Sequence, residues 1–420
     1  MKIIPRSKKT TLKNGLRILT EQIPSMRSVA MGILVGAGTE NETKEESGIS
    51  HFIEHMTFKG TSKRSAYDIA HTLDAVGGKI NAYTTKEYTV YFAVVLDKHV
   101  DVAIDVLFDM LQNSLFDPKA VEIEKGVVLE EIKMYEDTPD ELIHDFFAEK
   151  ILHGHPIGKP TIGLEETVKS IKREDILGYR EKWYSPQNTI VSLAGAIPQG
   201  ISGKLKSYLQ SWKGEKTVPP PLIPEIKGSL NLKKKKTEQV HLCLGVKGVS
   251  QTDEERYPYA ILDNVLGGSM SSRLFQEVRE KRGLAYSIFS TSSPFRNFGI
   301  SYVYAGTSKE NLKQVLDLIL EQFANIKKEG IKPEELKRAK EYLKGTLVLG
   351  MEATSSRMNW LAKSEYYYDR TMTIDEIFEK VDKVTQDDII SLANKFFQDE
   401  YLTLAVIGDL EELPIKEIHC

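Results

Sequence analysis

Residues 51–56, with the sequence HFIEHM, carry side chains whose types and spacing suit metal chemistry. On a helix, His51 and His55 lie one turn apart on the same face, so both can bind one metal ion. Glu54 is offset from that line but can reach a water molecule on the ion. This H-x-x-E-H order is the inverse of H-E-x-x-H and is one of the zinc-protease signatures. Two histidines at this spacing also occur on solvated helix faces, so the interpretation depends on a third ligand.

A second acidic helix supplies candidates for that ligand. Zinc in hydrolytic sites takes three protein ligands and leaves one position for water. Residues 122–132 include Glu124 and Glu131, which are seven residues apart and therefore share a helix face. Glu131 suits the role of ligand, and Glu124 that of an acid orienting a ligating histidine. Spacing alone does not separate Glu131 from Glu130, and the ligand set suits several divalent ions.

The composition of the chain limits the function classes. A length of 420 residues suits two or more domains, and 41% hydrophobic with 28% charged residues is typical of a soluble globular protein. The net charge of −4 argues against a general nucleic-acid binder. The lysine run at residues 233–236 is interpreted as a solvent-exposed segment leading into a strand and not as a basic binding patch, since Glu238 follows it and no aromatic residues lie between the lysines. No run of 18 apolar residues exists, so no membrane span is expected.

The cysteine content indicates a reducing compartment. The chain has two cysteines, Cys243 and Cys420, which are far apart in sequence and imply no disulfide framework. The first nine residues are basic, but no apolar segment of a secretory signal follows them. We therefore expect the protein in the cytoplasm of a bacterium.

The sequence repeats itself at about half its length. Residues 171–176 match residues 384–389, and each segment starts a capped helix. Each helix is followed by an aromatic pair and then by an apolar strand that ends in glycine, at Gly195 and at Gly408. Self-similarity at this period predicts two domains of the same fold.

The repeat predicts a domain order as well. We expect a zinc-bearing catalytic domain at residues 1–213, a proline-rich and semi-rigid linker at residues 214–228, and a homologous domain at residues 229–420. The second half has only His241 and His419 and no H-x-x-E-H motif, so it cannot rebuild the site. One metal site per chain is expected.

Hydrophobic periodicity predicts an α+β fold, with each domain a mixed, mainly antiparallel sheet packed with helices. Strands and helices do not alternate strictly in the first half. The predicted strands there are residues 15–21, 29–36, 79–84 and 88–96. The predicted helices there are residues 51–58, 67–76, 100–113 and 118–135.

Four sequence stretches carry a family resemblance: GISHFIEHM at residues 48–56, GGKINAYT at 77–84, LGGSMSSRLF at 266–275 and VREKRGLAY at 278–286. With them, nearly the whole chain resembles the pitrilysin/insulinase family of zinc metallopeptidases. It is most similar to the processing-peptidase branch, as a small bacterial form like the beta subunit of the mitochondrial processing peptidase. The short Gly267-Gly268-Ser269 stretch departs from the long glycine-rich loop of the mitochondrial enzyme's non-catalytic chain, so presequence recognition is not expected.

The resemblance implies a zinc-dependent endopeptidase that hydrolyses extended or unfolded peptides inside a chamber. It implies His51, His55 and Glu131 as ligands of Zn2+, because Glu131 stands at the family's spacing after His55. Glu124 is implied as the acid that orients a ligand. Glu54 is implied as the general base that acts on the zinc-bound water.

The resemblance also implies how substrate and partner chain bind. Asn81 and Ala82 lie on an edge strand that receives the substrate backbone, while Arg279 and Tyr286 close over the peptide. A homodimer is expected, and neither nucleic acid nor a membrane is expected as a partner. The alternative is a catalytically silent scaffold or peptide-binding subunit, although such a chain should lack a ligand or the base. A third interpretation is a metal hydrolase that acts on small molecules, but it would give the duplicated half no evident function.

Overall fold

The computed structural model describes residues 7–215, 217 and 222–420. The three prolines of the predicted linker at 219–221 and the first six residues lie outside the described residues. The chain forms two compact units. Unit 1 comprises Met1–Lys133, Lys159–Pro220 and Leu349–Thr373, and unit 2 comprises Met134–Gly158, Pro221–Val348 and Ile374–Cys420.

The strands and helices are numbered in chain order. The strands are β1 (Ser7–Thr11), β2 (Arg17–Gln22), β3 (Ser28–Val35), β4 (Lys79–Thr84), β5 (Thr89–Leu96), β6 (Thr189–Gly195), β7 (Ser229–Lys234), β8 (Val240–Gly248), β9 (Ala285–Pro294), β10 (Gly299–Thr307) and β11 (Thr403–Gly408). The helices are α1 (Ile49–Thr57), α2 (Ala66–Asp74), α3 (Val100–Asn113), α4 (Pro118–Glu136), α5 (Pro139–Leu152), α6 (Glu165–Ser170), α7 (Arg173–Trp183), α8 (Ile201–Leu209), α9 (Arg256–Leu266), α10 (Leu312–Glu329), α11 (Pro333–Gly350), α12 (Thr354–Tyr368), α13 (Ile374–Lys383) and α14 (Gln386–Phe396).

Unit 1 is built on a six-stranded sheet in the order β1-β2-β6-β3-β5-β4. Its neighbouring strands are antiparallel except for β2 and β6, which are parallel. The central strand β3 is apolar on both faces, as expected for a strand covered on both sides. Helix α12 packs on one face, where Gly32 makes room for Met358: a Cβ at Gly32 would lie 2.1 Å from the Met358 sulfur.

Unit 2 is built on a five-stranded sheet in the order β7-β11-β8-β10-β9. The order and strand directions repeat those of β2-β6-β3-β5-β4, including one parallel pair, β7 with β11. Helix α5 packs on one face of this sheet, with Ile143 and Phe147 buried against β8 and β11. The predicted duplicated α+β fold, with mainly antiparallel sheets, is thereby confirmed.

Each unit contains one helix that comes from the other half of the chain. Helix α5, from the first half, belongs to unit 2, and helix α12, from the second half, belongs to unit 1. The compact units therefore differ from a simple division at residues 214–228, because a helix from any part of the chain can cover an apolar sheet face. The predicted boundaries of the internal repeat stay a prediction.

Most predicted elements of the first half match the observed ones within two residues. The strand predicted at 29–36 is β3, and the strands predicted at 79–84 and 88–96 are β4 and β5, which pair as a hairpin. Strand β1 has no counterpart in the prediction, since its sequence SKKTT lacks an apolar alternation. In the described part of the chain, no helix is both long and apolar enough to cross a bilayer.

Candidate metal centre

Helix α1 begins directly after Gly48, whose backbone conformation and close neighbours require glycine. Gly48 has φ of 90°, and a Cβ there would lie 2.6 Å from the Cα of Gly163, so only glycine fits without strain. The buried carboxylate of Glu42 accepts hydrogen bonds from the backbone N–H groups of Gly48 (2.8 Å) and Ser50 (3.0 Å). Burial raises the pKa of Glu42 to about 7 despite these bonds. Glu42 thus fixes the start of the helix that carries the metal motif.

The apolar residues of α1 decide which way its polar residues face. One set of side chains is fully buried in the core of unit 1: Ile49, Phe52, Ile53 and Met56. Of the other positions, Ser50 and Thr57 are also buried, whereas His51, Glu54 and His55 are only partly buried. Burial of the apolar set therefore turns the three polar side chains toward one common side.

The structure brings His51 and His55 together with Glu131 of α4. Nε2 of His51 lies 3.9 Å from one carboxylate oxygen of Glu131, and Nε2 of His55 lies 3.7 Å from the other. All three ligand atoms lie within 4.8 Å of one another. Zn–N bonds of about 2.0–2.1 Å place tetrahedral ligand atoms roughly 3.4 Å apart, so these residues fit a zinc-sized ion after a small closure. Glu130, by contrast, is exposed and pairs with Lys133 at 2.7 Å.

Glu124 determines which nitrogen of His55 is free. Its carboxylate lies 2.9 Å from Nδ1 of His55 and 2.7 Å from Nζ of Lys59. A carboxylate only accepts, so Nδ1 of His55 donates and the Nε2 lone pair is left for a metal. Burial alone would raise the pKa of Glu124, but its two hydrogen-bond donors outweigh burial and hold that pKa below its usual value.

The two histidines differ in their electrostatic surroundings. Burial, aided by the neighbouring charge of His55, lowers the pKa of His51 to about 4, so His51 is neutral at pH 7, as a ligand must be. Burial opposes protonation of His55 too, but the hydrogen bond to Glu124 and the charge of Glu131 raise its pKa above the usual value. Nδ1 of His51 is buried and has no hydrogen-bond partner among the described residues.

Glu54 lies beside this cluster without belonging to it. Burial raises the pKa of Glu54, and the charge of Glu131 adds to that rise, while a hydrogen bond from Thr84 and the charge of His55 oppose it. The hydroxyl of Thr84 donates to Oε2 of Glu54 at 2.5 Å. A partly buried carboxylate with a raised pKa, next to a metal-binding cluster, has the properties of a general base.

The predicted substrate strand is an edge strand in unit 1. Strand β4, which carries Asn81 and Ala82, pairs with β5 and stands at the end of the sheet order. The N–H of Ala82 donates to the side-chain oxygen of Asn81 at 2.8 Å. An edge strand of this kind offers backbone groups to an added peptide strand.

Arg279 and Tyr286 belong to unit 2, whereas the candidate metal ligands belong to unit 1. Arg279 lies in a short π-helical segment, Phe275–Glu280, and its guanidinium carbon lies 5.0 Å from the centre of the Tyr286 ring. The Tyr286 side chain is 79% exposed. The two residues form a pair at the surface of unit 2, and their role toward a bound peptide stays a prediction.

Three residues of the site were given no role from the sequence: Glu42, Lys59 and Thr84, although Thr84 ends the GGKINAYT stretch. Thr84 reaches Glu54 from 30 residues away, so its contact depends on the fold, whereas Glu42 lies six and eight residues before its partners Gly48 and Ser50. Lys59 follows His55 by four residues, a spacing that could have indicated it, but α1 ends at Thr57.

Two family models match most of the chain. The model described as insulinase (peptidase family M16) matches residues 17–165, and the model described as the peptidase M16 inactive domain matches residues 170–343. A protein of Bacillus subtilis named as an uncharacterized zinc protease is 42% identical over 97% of this chain and 99% of its own length. An uncharacterized zinc protease of Streptomyces coelicolor is 39% identical, over 98% of this chain and 92% of its own length.

Solved structures show the same fold. A protease from Helicobacter pylori matches with a TM-score of 0.88 at 22% identity, covering 96% of this chain and 100% of that one. A peptidase M16 inactive domain from Pseudomonas fluorescens matches with a TM-score of 0.88 at 18% identity, over 96% and 98% of the two chains. At these identities the likeness shows the fold alone. The sequence relatives carry the assignment further: the chain belongs to the insulinase family, peptidase family M16.

Proposed function

We propose that this protein is a zinc-dependent endopeptidase that hydrolyses extended or unfolded peptides. The observation that carries the proposal is the placement of a partly buried Glu54 beside the converging ligand atoms of His51, His55 and Glu131. The relatives at 42% and 39% identity are named zinc proteases, which supports both the metal and the reaction class. The resemblance to processing peptidases is a further part of the proposal.

His51, His55 and Glu131 would hold the metal. A bound zinc ion lowers the pKa of its water to about 7 and polarises the scissile carbonyl. Glu54 accepts the proton of the attacking water and then delivers it to the nitrogen of the leaving amine. The C–N bond and one O–H bond of the water break, a C–O bond and an N–H bond form, and Glu54 ends the cycle in its starting state.

Substrate would bind as an added strand along β4. The backbone of an extended peptide pairs with the open edge at Asn81 and Ala82, so affinity depends little on sequence. Ile123 and Val127 are 69% and 47% exposed and lie two turns and one turn before Glu131 on the same helix face. Substrate side chains close to the metal would therefore meet an apolar surface, which favours peptides with apolar residues near the cleaved bond.

The proposal also covers the oligomeric state and the cellular location. We propose a homodimer that encloses the substrate in a chamber, with Arg279 and Tyr286 closing over the peptide. We propose a bacterial cytoplasmic location, which the two free cysteines support. Sedimentation of the purified chain at assay concentration tests the dimer, and a monomer with full activity would contradict it.

Cleavage of a mixed pool of unstructured peptides tests the function. The zinc-loaded chain is compared with Glu54→Gln, which keeps the size of the side chain and removes its basicity. We expect cleavage by the wild type only, with zinc and peptide binding retained in Glu54→Gln, because Glu54 is not among the three ligands.

The outcomes separate the alternatives. Cleavage by both proteins would show that Glu54 is not the base. Cleavage by neither, with zinc bound, would favour the silent scaffold or peptide-binding subunit. Efficient digestion of a native globular protein would contradict the preference for extended substrates.

A further inference from the structure

We propose that Thr84 is a positioning residue for Glu54: its hydroxyl fixes the base relative to the strand that receives the substrate. The inference rests on the proposed function, because it gives Thr84 a part in the reaction assigned to Glu54. Thr84 is the last residue of the GGKINAYT stretch and lies 30 positions after Glu54, and that stretch by itself gives Thr84 no role toward the base.

In the hydrogen bond between Thr84 and Glu54, Thr84 is the donor. An ionised carboxylate only accepts, so the single proton of the Thr84 hydroxyl is donated to Oε2 of Glu54 at 2.5 Å. Such charge-assisted hydrogen bonds are short and about twice as strong as neutral ones. The bond engages one carboxylate oxygen and leaves Oε1 for the attacking water. Thr84 therefore selects which oxygen of Glu54 acts.

Thr84 is held in place through the pairing of β4 with β5. Thr84 and Thr89 are register partners across the β4–β5 pair, and their hydroxyl oxygens lie 3.4 Å apart. Thr89 is fully buried and donates to the carbonyl of Ala37 at 2.9 Å. Strand β5, anchored at the buried Thr89, thus fixes the position of Thr84 on β4.

Thr84 lies on β4, the same strand that is proposed to bind the substrate backbone. Thr84 follows Ala82 by two residues on the same strand, so the element that would pair with the peptide backbone also holds the base. Substrate carbonyl and base are then aligned by one rigid strand. Misplacement of a reacting group by about 1 Å can lower the rate on the order of 10²-fold.

A positioning role and a purely structural role predict different results. Thr84→Val keeps the shape of the side chain and removes the hydroxyl, whereas Thr84→Ser keeps the hydroxyl and removes a methyl group. If Thr84 only fills space, Val should be the better replacement. If it orients Glu54, Ser should be the better one.

The experiment measures kcat, KM and zinc content for the full-length zinc-loaded wild type, Thr84→Val and Thr84→Ser on one unstructured peptide. We expect Thr84→Val to lose kcat on the order of 10²-fold, with zinc content unchanged and KM within about 3-fold. Thr84→Ser should recover most of the lost kcat. Full kcat in Thr84→Val, or equal losses in both variants, would overturn the proposal.

A second readout separates this inference from the proposed function. In crystal structures of the two variants, the Glu54 carboxylate should keep its position in Thr84→Ser and shift in Thr84→Val. If the wild type cleaves no peptide, the proposed function fails, and the position of Glu54 still decides whether Thr84 positions it. An unmoved carboxylate in Thr84→Val would overturn the inference even if the enzyme is active.

Discussion

Replacement of Glu124 by glutamine should weaken zinc binding although Glu124 is not among the ligands. The Glu124 side chain is 3% exposed and receives two donors, Nδ1 of His55 at 2.9 Å and Nζ of Lys59 at 2.7 Å. A glutamine of the same size has one oxygen, so its amide group must face one of these donors with a donor of its own. The bond that holds Nε2 of His55 toward the metal is lost or strained.

The magnitude follows from the type of contact. Loss of an acid that orients a metal-binding histidine typically costs about 10- to 100-fold in metal affinity. At about 1.4 kcal/mol for each factor of ten, this is roughly 1.4–2.7 kcal/mol of zinc binding free energy. Lys59 is 36% exposed and can turn to water, so we expect the loss to fall mainly on His55.

Competition of the metal-free protein with a chelating indicator measures the zinc Kd. Glu122→Gln is the matched control, because Glu122 lies on the same helix with a 71% exposed side chain and pairs with Lys125 at 2.8 Å. Lys59→Met keeps the bond between Glu124 and His55, so it should weaken zinc less than Glu124→Gln does. A Kd for Glu124→Gln within about 3-fold of wild type, below the usual effect of such acids, would refute the reasoning.

Further predictions concern the third ligand and the start of α1. Glu131→Gln should lower zinc content after dialysis, whereas Glu130→Gln should not, since only Glu131 lies with the histidines; equal zinc in both would contradict this. Burial raises the pKa of Glu42 from 4.5 to about 7, so the folded chain keeps a proton that the unfolded chain releases between these values. The stability from this group is complete below about pH 4.5 and is lost as pH rises through 7, so wild type should lose about 3 kcal/mol relative to Glu42→Gln by pH 8. Urea unfolding of the metal-free proteins measures this difference, and parallel pH curves would contradict it. Gly48→Ala should lower the free energy of unfolding by at least about 1–3 kcal/mol, because φ there is 90°, while Gly178→Ala in α7 should raise it by roughly 0.5–1 kcal/mol. Similar effects of the two alanine substitutions would exclude the backbone argument.

The sequence by itself determined the local elements and the chemistry of α1. Apolar residues at 49, 52, 53 and 56 alternate with the polar residues of the motif at helical spacing, so the helix and its two faces follow from the residues themselves. Strands such as β3 and β5 follow from their apolar runs, and the duplication follows from the internal repeat. These features depend on neighbours in the chain, which sequence patterns record.

Which glutamate of α4 meets the histidines was decided by the tertiary structure. Helix α4 has apolar residues on both sides: Val128 and Ile132 are buried, while Ile123 and Val127 are exposed. Its periodicity therefore does not identify the face that packs inward. Burial of Val128 and Ile132 sets the rotation of the helix, and that rotation separates Glu131 from Glu130 by about 100°.

Two further features could not be predicted from the sequence: which sheets α5 and α12 cover, and the hydrogen bond from Thr84 to Glu54. Helices α5 and α12 cover sheets formed mostly by the other half of the chain, and no local pattern records which sheet an amphipathic helix will cover. The hydrogen bond of Thr84 to Glu54 of α1 joins residues that are 30 positions apart in sequence. A single hydroxyl or carboxylate has no periodicity, so its partner becomes known only when the chain is folded.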